Sequence, residues 1–326
     1  MKNFLLTGGC GFVGSNLAIL LKTNYPKSSI YAFDNLKRTG SELNLQRLRN
    51  HEIEFIHGDI RNFEDFNSLP KIDIIIECAA EPSVLSGINS SPDYVLNTNL
   101  LGTINCLNFS KKNNAKFIFL STSRVYPISK LNQVLLNESN SRFEINKKQK
   151  LIGISEKGIS ESFDIMGARS FYGTSKLSSE LLIQEYHEFY GLKAVINRCG
   201  VLTGPWQMGK VDQGVVVLWI AKHFWNKKLQ YIGFGGEGKQ VRDILHIKDL
   251  YNLIDIQINH FDDYNGQTFN VGGGINVSTS LKELTKICQE VTGNSIKIDK
   301  VMQNRSADIP IYITDNSKVN KISSWN

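Results

Sequence analysis

Two tyrosine–lysine pairs, each spaced by four residues, are the first candidates for chemistry in this 326-residue chain: Tyr126/Lys130 and Tyr172/Lys176. With 11 tyrosines and many lysines, about one such pair is expected by chance. Pro127 discourages a helix after Tyr126, whereas Tyr172 opens a stretch with the apolar spacing of a helix. Side chains four apart on a helix share a face, so Tyr172 and Lys176 can act as a unit.

A tyrosine beside a lysine suits proton transfer. Free tyrosine has a pKa near 10 and is a poor base at neutral pH, but a neighbouring ammonium favours the phenolate. Tyr172 would then take a proton from a substrate alcohol while the carbon gives up hydride. A hydroxyl at the end of the predicted strand 116–121 would orient the same oxygen; we expect Thr122, with Ser121 and Ser123 as alternates. The non-catalytic interpretation is a packed tyrosine, a solvated lysine and turn hydroxyls.

A glycine turn near the N-terminus predicts a nucleotide site. Three glycines at intervals of three follow a short apolar strand and precede a helix predicted over 14–23. Such a turn lets pyrophosphate approach the backbone and the helix N-terminus. The spacing alone is weak evidence, because the chain holds 26 glycines. The expected cofactor contacts of this turn are Gly8, Gly11, Phe12, Val13 and Gly14.

Acidic residues after the next strands extend the same prediction. The predicted strand 29–34 ends in Asp34, about twenty positions after the glycines, where a carboxylate would bind the adenosine ribose. It would repel a 2′-phosphate and so favours NAD, although Lys37 and Arg38 are near enough to leave NADP open. Asp59, after the third strand, would meet the adenine amino group or serve as a plain helix N-cap.

The order of the elements predicts an α/β fold. Strands and helices alternate to about residue 125, which implies a parallel sheet covered on both faces. The region 127–168 is polar and poorly periodic, which indicates a lid or an insertion. The predicted strands are 2–7, 29–34, 53–57, 72–77, 116–121 and 193–197, and the predicted helices are 14–23, 42–49, 63–68, 92–111, 172–190 and 281–291.

Beyond about residue 203 the chain is rich in glycine and aromatic residues, and the alternation fades. We therefore predict a Rossmann-type doubly wound parallel sheet with a smaller C-terminal α/β substrate lobe. The predicted division gives residues 1–197 and 241–262 to an NAD-binding domain, and residues 198–240 and 263–326 to the substrate lobe.

Composition narrows the class of protein. The net charge is +6 and the pI about 8.9, but the basic residues are spread along the chain, so we expect a solvated surface and no nucleic acid. No apolar run has the length of a membrane span, and a strand begins at once without a signal peptide. Five scattered cysteines without a CxxC pair, and six histidines without ligand spacing, predict a reducing, cytoplasmic setting and no metal.

Several motifs resemble the extended short-chain dehydrogenase/reductases that act on nucleotide sugars. They are TGGCGFVGSN at 7–16, Asp34, STSRVY at 121–126 and YGTSK at 172–176. Two later blocks support the likeness: GKQVRDILH at 238–246 resembles the family's nucleotide-diphosphate block, and FNVGGG at 269–274 a further family segment. The resemblance covers nearly the whole chain.

The resemblance implies a nucleotide-sugar enzyme with tightly bound NAD that works as a homo-oligomer, a dimer or tetramer. Tyr172 would be base and then acid, Lys176 would tune it and hold the nicotinamide ribose, and Thr122 would orient the reacting oxygen. The further cofactor contacts that it implies are Asn35, Asp59, Ile60, Ala79, Ala80 and Asn99. The substrate contacts that it implies are Thr122, Arg198, Gln240, Arg242 and Arg305.

The run 197–214 and the long insertion before Tyr172 narrow the likeness to epimerases that act at C2 of a CDP-linked deoxysugar. Dehydratases of the family carry an Asp-Glu pair after the catalytic threonine; Ser123 and Arg124 stand there in this chain, so elimination is disfavoured. Glu81 stands where a neutral polar residue is more usual, and its role is open. Relatives continue past the position of Asn326, so we expect the lobe to lack a terminal helix.

Other functions stay open at this point. A 4-epimerase, or a dehydrogenase of a UDP- or dTDP-sugar, would use the same three side chains. A dinucleotide-binding sensor without turnover is disfavoured, because a sensor has no need of them.

Overall fold

The computed structural model describes residues 1–209 and 213–325. Lys210, Val211 and Asp212, which belong to the run 197–214, lie outside the described residues, as does Asn326.

The described residues form a mixed α/β fold with a large parallel sheet. The strands are β1 (Asn3–Thr7), β2 (Ser29–Asp34), β3 (Glu54–His57), β4 (Ile74–Glu77), β5 (Lys116–Thr122), β6 (Leu136–Glu138), β7 (Phe143–Ile145), β8 (Ile154–Ser155), β9 (Gly158–Ile159), β10 (Ala194–Cys199), β11 (Val201–Thr203), β12 (Leu229–Ile232), β13 (Val241–His246), β14 (Gln267–Val271), β15 (Ser278–Ser280), β16 (Ile298–Val301) and β17 (Ile311–Tyr312).

The helices cover both faces of that sheet and the smaller lobe. They are α1 (Phe12–Asn24), α2 (Asn44–Asn50), α3 (Asp93–Leu96), α4 (Gly102–Asn113), α5 (Ile128–Leu131), α6 (Phe171–Tyr190), α7 (Val215–Phe224), α8 (Ile247–Asn259), α9 (Phe261–Tyr264), α10 (Leu281–Thr292) and α11 (Ser317–Asn320). A π-helical turn, Asn97–Leu101, joins α3 to α4, and the predicted helix 63–68 is a 3-10 helix.

The central sheet has seven strands in the order β14-β10-β5-β4-β1-β2-β3, and every neighbouring pair is parallel. Its middle strands are apolar on both faces, as in Ile74–Ile76 of β4, because helices cover both. Alternate residues pack against α1 and α8 on one side and against α4 and α6 on the other. This is the doubly wound architecture that the sequence predicted.

The smaller lobe is built on β13, which pairs with β11, β15 and β17. The predicted division differs here at two strands. It placed β13 with the cofactor domain, although β13 pairs with β11, β15 and β17 of the smaller lobe, and only Leu245 of this strand and the following helix, α8, pack into the core of the large sheet. It placed β14 in the smaller lobe, yet β14 is the edge strand of the large sheet and pairs with β10. The lobe to which each of these two strands belongs is decided by its pairing with distant segments, and the periodicity of the sequence does not reveal that pairing.

The region 127–168 forms an ordered insertion. It contains two short hairpins, β6–β7 and β8–β9, whose apolar side chains pack against the C-terminal segment around Ile311 and Tyr312. The Ile159 amide donates to the carbonyl of Ile313 at 2.8 Å. The insertion therefore ties the segment before α6 to the smaller lobe.

The two lobes also meet above the N-terminus of α1. The Arg47 guanidinium lies 4.4 Å from the centre of the Trp206 ring, and the Asn16 side-chain amide donates to the carbonyl of Pro205 at 3.0 Å. None of the helices formed by the described residues combines the length and apolarity needed to cross a membrane.

Leu250 of α8 is fully buried in the core against α1. We predict that Leu250→Ala lowers the free energy of unfolding by about 2–5 kcal/mol, since it leaves a cavity. Leu135→Ala is the matched control, because Leu135 is 48% exposed, and it should stay within about 0.5 kcal/mol of the parent. Urea denaturation of both variants checks this; equal losses would contradict the packing described.

Candidate active site

The carboxyl end of β5 and the first turn of α6 bring two of the predicted side chains together. Helix α6 begins at Phe171 because the Ser170 hydroxyl accepts from the amide of Gly173 at 3.1 Å. Tyr172 thus lies in the first turn, and its phenol faces the hydroxyl of Thr122, the last residue of β5, closely enough for that hydroxyl to lower the pKa of the phenol. The predicted contact between strand end and helix start is present.

Lys176 lies one turn further along α6 and is almost fully buried, with 2% of its surface exposed. Its ammonium sits 3.8 Å from the centre of the Phe119 ring. Burial lowers the pKa of Lys176, and the nearby carboxyls of Glu77 and Glu180 act in the opposite direction. The two acids therefore help to keep the ammonium charged inside the protein.

The pKa of Tyr172 differs from the expectation. Burial raises it to about 12, while the hydrogen bond from Thr122 and the charge of Arg124 lower it, and Cys199 and Glu81 raise it further. The sequence predicted a lowered pKa through Lys176; in the structure desolvation is the largest effect. The phenol is thus protonated at neutral pH until further positive charge enters the site.

Glu180 fixes the position of α6 against the sheet. It follows Tyr172 and Lys176 at the same interval of four, so the three side chains share one face of the helix. The Glu180 carboxylate accepts from the Ser121 hydroxyl, one residue before Thr122, and from two nitrogens of Arg198 on β10 at 2.7 and 3.0 Å. The helix that carries the tyrosine is thereby tied to both neighbouring strands.

Arg198 is a correction to the predicted substrate contacts. It is 6% exposed, and its remaining nitrogen donates to the Tyr126 hydroxyl at 3.1 Å. That hydroxyl in turn donates to the side chain of Asn270 at 2.8 Å. With its whole guanidinium in these internal bonds, Arg198 is a buried structural partner of Glu180 and offers no free fork to a phosphate.

The glycine turn has the shape of a phosphate cradle. A Cβ on Gly8 would lie 2.7 Å from the Ala79 backbone, and one on Gly14 only 2.3 Å from the carbonyl oxygen of Gly8. Gly11 precedes α1, and no side chain of the described residues caps that helix start. Phe12 and Val13, the first two residues of that helix, pack on the core. These residues fit a dinucleotide pyrophosphate.

Asp34 lies beside that turn at the end of β2. Its carboxylate accepts from the amides of Cys10 at 3.0 Å and Leu36 at 2.8 Å. Burial raises its pKa, and these two amides lower it. The carboxylate is therefore held rigidly next to the glycines, where the sequence expected ribose recognition.

Asp59 and Asn35 form the outer part of the same edge. The Asp59 carboxylate accepts from the Asn35 side chain at 2.9 Å and from the Arg61 guanidinium, and these contacts hold its pKa at about 2. It does not cap the following 3-10 helix, because Asn62 does so. The Asp59 carboxylate also accepts from the Arg61 amide at 2.9 Å, and contact with the adenine amino group stays a prediction.

The loop after β4 is fixed by Asn99. The Asn99 amide group accepts from the Glu81 backbone at 2.8 Å and donates to the Glu81 carbonyl and the Ser175 hydroxyl, both at 3.1 Å. Ala79 and Ala80 are thereby held between the glycine turn and α6. Asn99 lies in the π-helical turn, a distortion common at functional sites. The last predicted contact of this group, Ile60, is 5% exposed and packs on Gly102.

A second polar region lies on the smaller lobe. Arg305 binds the Asp308 carboxylate with nitrogens at 3.0 and 3.1 Å, and Arg242 donates to the Ile309 carbonyl at 2.8 Å. Burial lowers the pKa of Arg242 to about 9. Gln240 donates to the Ile232 carbonyl at 3.1 Å, and its oxygen finds no partner among the described residues. Arg242 and Arg305 lie within electrostatic reach of each other and of Asp308.

Sequence reasoning missed Glu77, the last residue of β4. It is fully buried, accepts from the Thr103 hydroxyl at 2.6 Å, and its other oxygen has no partner among the described residues. Burial raises the pKa of Glu77 to about 7, and Lys176 acts against that rise. The available signal was a carboxylate directly after the apolar run Ile74–Ile76.

Within residues 1–209 and 213–325, no group of three or more His, Cys, Asp or Glu side chains is disposed to hold a metal ion.

Comparisons with known proteins agree with this geometry. The profile of the NAD dependent epimerase/dehydratase family matches residues 4–272. A CDP-paratose 2-epimerase of Salmonella typhi is 31% identical over 98% of this chain and 93% of its own length. A UDP-glucose 4-epimerase of Halalkalibacterium halodurans is 26% identical over 98% of this chain and 89% of its own.

A solved structure shows the same fold. The UDP-glucuronic acid 4-epimerase of Bacillus cereus, in complex with UDP-glucuronic acid and NAD, superposes with a TM-score of 0.79. It is 22% identical, and the match covers 99% of this chain and 93% of that one.

The doubly wound sheet and the glycine turn at the start of α1 define a Rossmann-type, dinucleotide-binding fold. The family match makes the class definite: the chain belongs to the NAD dependent epimerase/dehydratase family. NAD is therefore its cofactor, and the family resemblance read from the motifs is confirmed.

We predict that Gly14→Ala weakens NAD binding about tenfold or more, because the new methyl group must displace the Gly8 carbonyl at an overpacking cost of about 1–3 kcal/mol. Calorimetric titration with NAD measures it. Gly191→Ala at the end of α6 has open space around it; it should cost stability through its positive φ and leave NAD affinity unchanged. Unchanged affinity in Gly14→Ala would show that the cradle lies elsewhere.

Proposed function

We propose that this protein is a nucleotide-sugar epimerase that inverts C2 of a CDP-linked deoxysugar, converting CDP-paratose to CDP-tyvelose, by transient oxidation with tightly bound NAD. The observation that carries the proposal is the juxtaposition of the Thr122 hydroxyl and the Tyr172 phenol, one helical turn from the buried ammonium of Lys176. That group handles a carbinol next to a nicotinamide and has no use in a protein that only binds a nucleotide.

The residues after Thr122 favour epimerisation over dehydration. Elimination of water needs an acid and a base close to the oxidised sugar, and the family's dehydratases place an Asp-Glu pair there. In this chain Ser123 and Arg124 occupy those positions. A hydroxyl and a guanidinium cannot act as the acid and base that elimination needs. A ketone formed here is therefore reduced again without loss of water.

NAD, when bound, accepts hydride from the sugar carbon and returns it to the opposite face, so the reaction needs no external oxidant. Tyr172 takes the hydroxyl proton as the carbon is oxidised and gives it back on reduction. Thr122 would hold the same oxygen by a hydrogen bond, and Lys176 would hold the nicotinamide ribose and favour the phenolate of Tyr172. The positive charge of the oxidised nicotinamide would favour the phenolate and so act against the rise in the pKa of Tyr172 that burial causes.

The choice of C2 and of a CDP-sugar rests on the 31% identity to the CDP-paratose 2-epimerase over nearly the full length of both chains. The 4-epimerases that are also similar leave oxidation at C4 of a UDP-sugar as the alternative. The homo-oligomer and the cytoplasmic location stay predictions.

The proposal is tested by incubating the purified protein with CDP-paratose, CDP-tyvelose and UDP-glucose, in ordinary and in deuterated water, and following products by NMR. We expect inversion at C2 of the CDP-sugar without incorporation of solvent deuterium, since the hydride returns directly. Inversion at C4 of UDP-glucose would favour the alternative, and turnover of none of the three would refute the proposal.

We predict that Tyr172→Phe lowers kcat by about 10²–10⁴-fold, because the proton acceptor is lost, and leaves NAD bound. The control is Tyr190→Phe at the far end of the same helix, where the side chain is 56% exposed and full activity is expected. Product formation under saturating substrate measures both. An active Tyr172→Phe variant would remove the phenol from the mechanism.

A further inference from the structure

Arg124 occupies a position between the catalytic group and the arginines of the smaller lobe. It lies in the short 3-10 turn Ser123–Val125, and its amide donates to the Thr122 hydroxyl oxygen at 3.2 Å. Its carbonyl rests against Gly173, where a Cβ would come within 2.2 Å. The backbone of Arg124 is therefore fixed to the end of β5 and to the first turn of α6.

The Arg124 side chain reaches toward the other lobe. Its guanidinium donates to the carbonyl of Ala307 at 3.2 Å. The charges that act on it most strongly are those of Asp308, Tyr172 and Arg305, and it acts in turn on Arg242. One side chain thus lies within electrostatic reach of the reacting phenol and of both arginines predicted to bind the diphosphate.

The charges in this region do not balance. Arg124, Arg242 and Arg305 face Asp308, which is already bound by Arg305. Asp243, the neighbour of Arg242 on β13, accepts from the amides of Gly274 and Thr314. Partly buried guanidiniums in excess of carboxylates are costly unless an anion joins them, and their planar forks match phosphate oxygens.

We infer that Arg124 is a third phosphate-binding residue, which contacts the phosphate attached to the sugar and so brings the carbon next to the anomeric centre to Tyr172. The inference rests on the proposed function and deepens it. The diphosphate is joined to C1, and C2 is its neighbour on the ring, whereas C4 lies across the ring. Arg124 borders the Tyr172 phenol, so a phosphate bound to Arg124 lies near that phenol. The ring carbon beside Tyr172 is then C2, which is close to the phosphate, and not C4.

The affinities of the Arg124→Gln variant for CDP and for CMP, compared with those of the parent, isolate the contribution of the terminal phosphate to binding. We expect CDP to bind the variant about 10- to 100-fold more weakly, because a charge-assisted hydrogen bond is lost, and CMP within about twofold of the parent. Arg124→Lys keeps the charge and should recover part of the loss. Arg49→Gln, on the exposed face of α2, is the control and should change neither affinity.

The pH profile of kcat gives a second readout. The groups that face the Tyr172 phenol are Thr122, Arg124, Cys199 and Glu81. Loss of the Arg124 charge raises the pKa of the phenol, so the acidic limb of the profile should move to higher pH in Arg124→Gln and stay in place in Arg49→Gln. Retained NAD content and unfolding midpoint exclude a folding defect as the cause.

An unchanged ratio of CDP to CMP affinity in Arg124→Gln, or an acidic limb that does not move, would overturn the inference. So would failure of CDP to bind the parent protein, or inversion by the parent at C4. If the parent binds CDP through Arg124 but turns over no nucleotide sugar, the phosphate contact stands and the proposed function fails, so the two failures are distinguishable.

Discussion

The buried ion pair between Glu180 and Arg198 is the interaction on which the site depends. The Glu180 carboxylate, 1% exposed, joins α6 to β10 through Arg198 and to β5 through Ser121. Tyr172 lies two turns earlier on the same helix face, and Thr122 follows Ser121 on the same strand. A shift of α6 along the sheet would separate the phenol from the hydroxyl, and this pair opposes that shift.

Burial of an ion pair costs desolvation free energy, which is offset only when hydrogen bonds of good geometry satisfy both charged groups. Here both carboxylate oxygens and all the guanidinium nitrogens find partners, including the Tyr126 hydroxyl, which continues to Asn270 at the start of the FNVGGG segment. The network therefore links the catalytic helix, the sheet and the insertion before α6. Lys176 and Glu77 are a second pair of buried ionisable groups, and burial together with their action on each other shifts the pKa of both.

Much of the fold could be predicted from the sequence, because it depends on local patterns. The apolar runs of β1, β4 and β5 and the helical spacing after Tyr172 fixed the sheet and the catalytic helix within a few residues. The Tyr172–Thr122 contact followed from the rule that strand ends meet helix starts at one edge of a parallel sheet. Asp34 and the glycine turn came from their spacing together with the predicted strands and helix around them.

Some features were not predicted from the sequence, and each of them depends on contacts between residues that are far apart along the chain or on burial. Arg198 lies in a segment that could as well have faced a phosphate, and only its pairing with Glu180, 18 positions earlier, removes it from the substrate contacts. The pairing of β14 with β10 moved an element from one lobe to the other. The direction of the Tyr172 pKa shift is set by desolvation, which sequence spacing does not report. The sequence did mark Arg124, because a cation stands there where the dehydratases of the family carry an acid. Its hydrogen bond to the Ala307 carbonyl joins residues 183 positions apart and is visible only in the structure.

A double-mutant cycle on kcat with Glu180→Gln and Arg198→Gln tests the central claim most directly. If the two residues hold α6 in register as one unit, each single variant lowers kcat, the double variant loses little more than the worse single one, and NAD affinity stays unchanged. The coupling energy should then be at least about 1 kcal/mol. Full activity in Glu180→Gln, or independent additive losses, would show that the catalytic helix is positioned by something else.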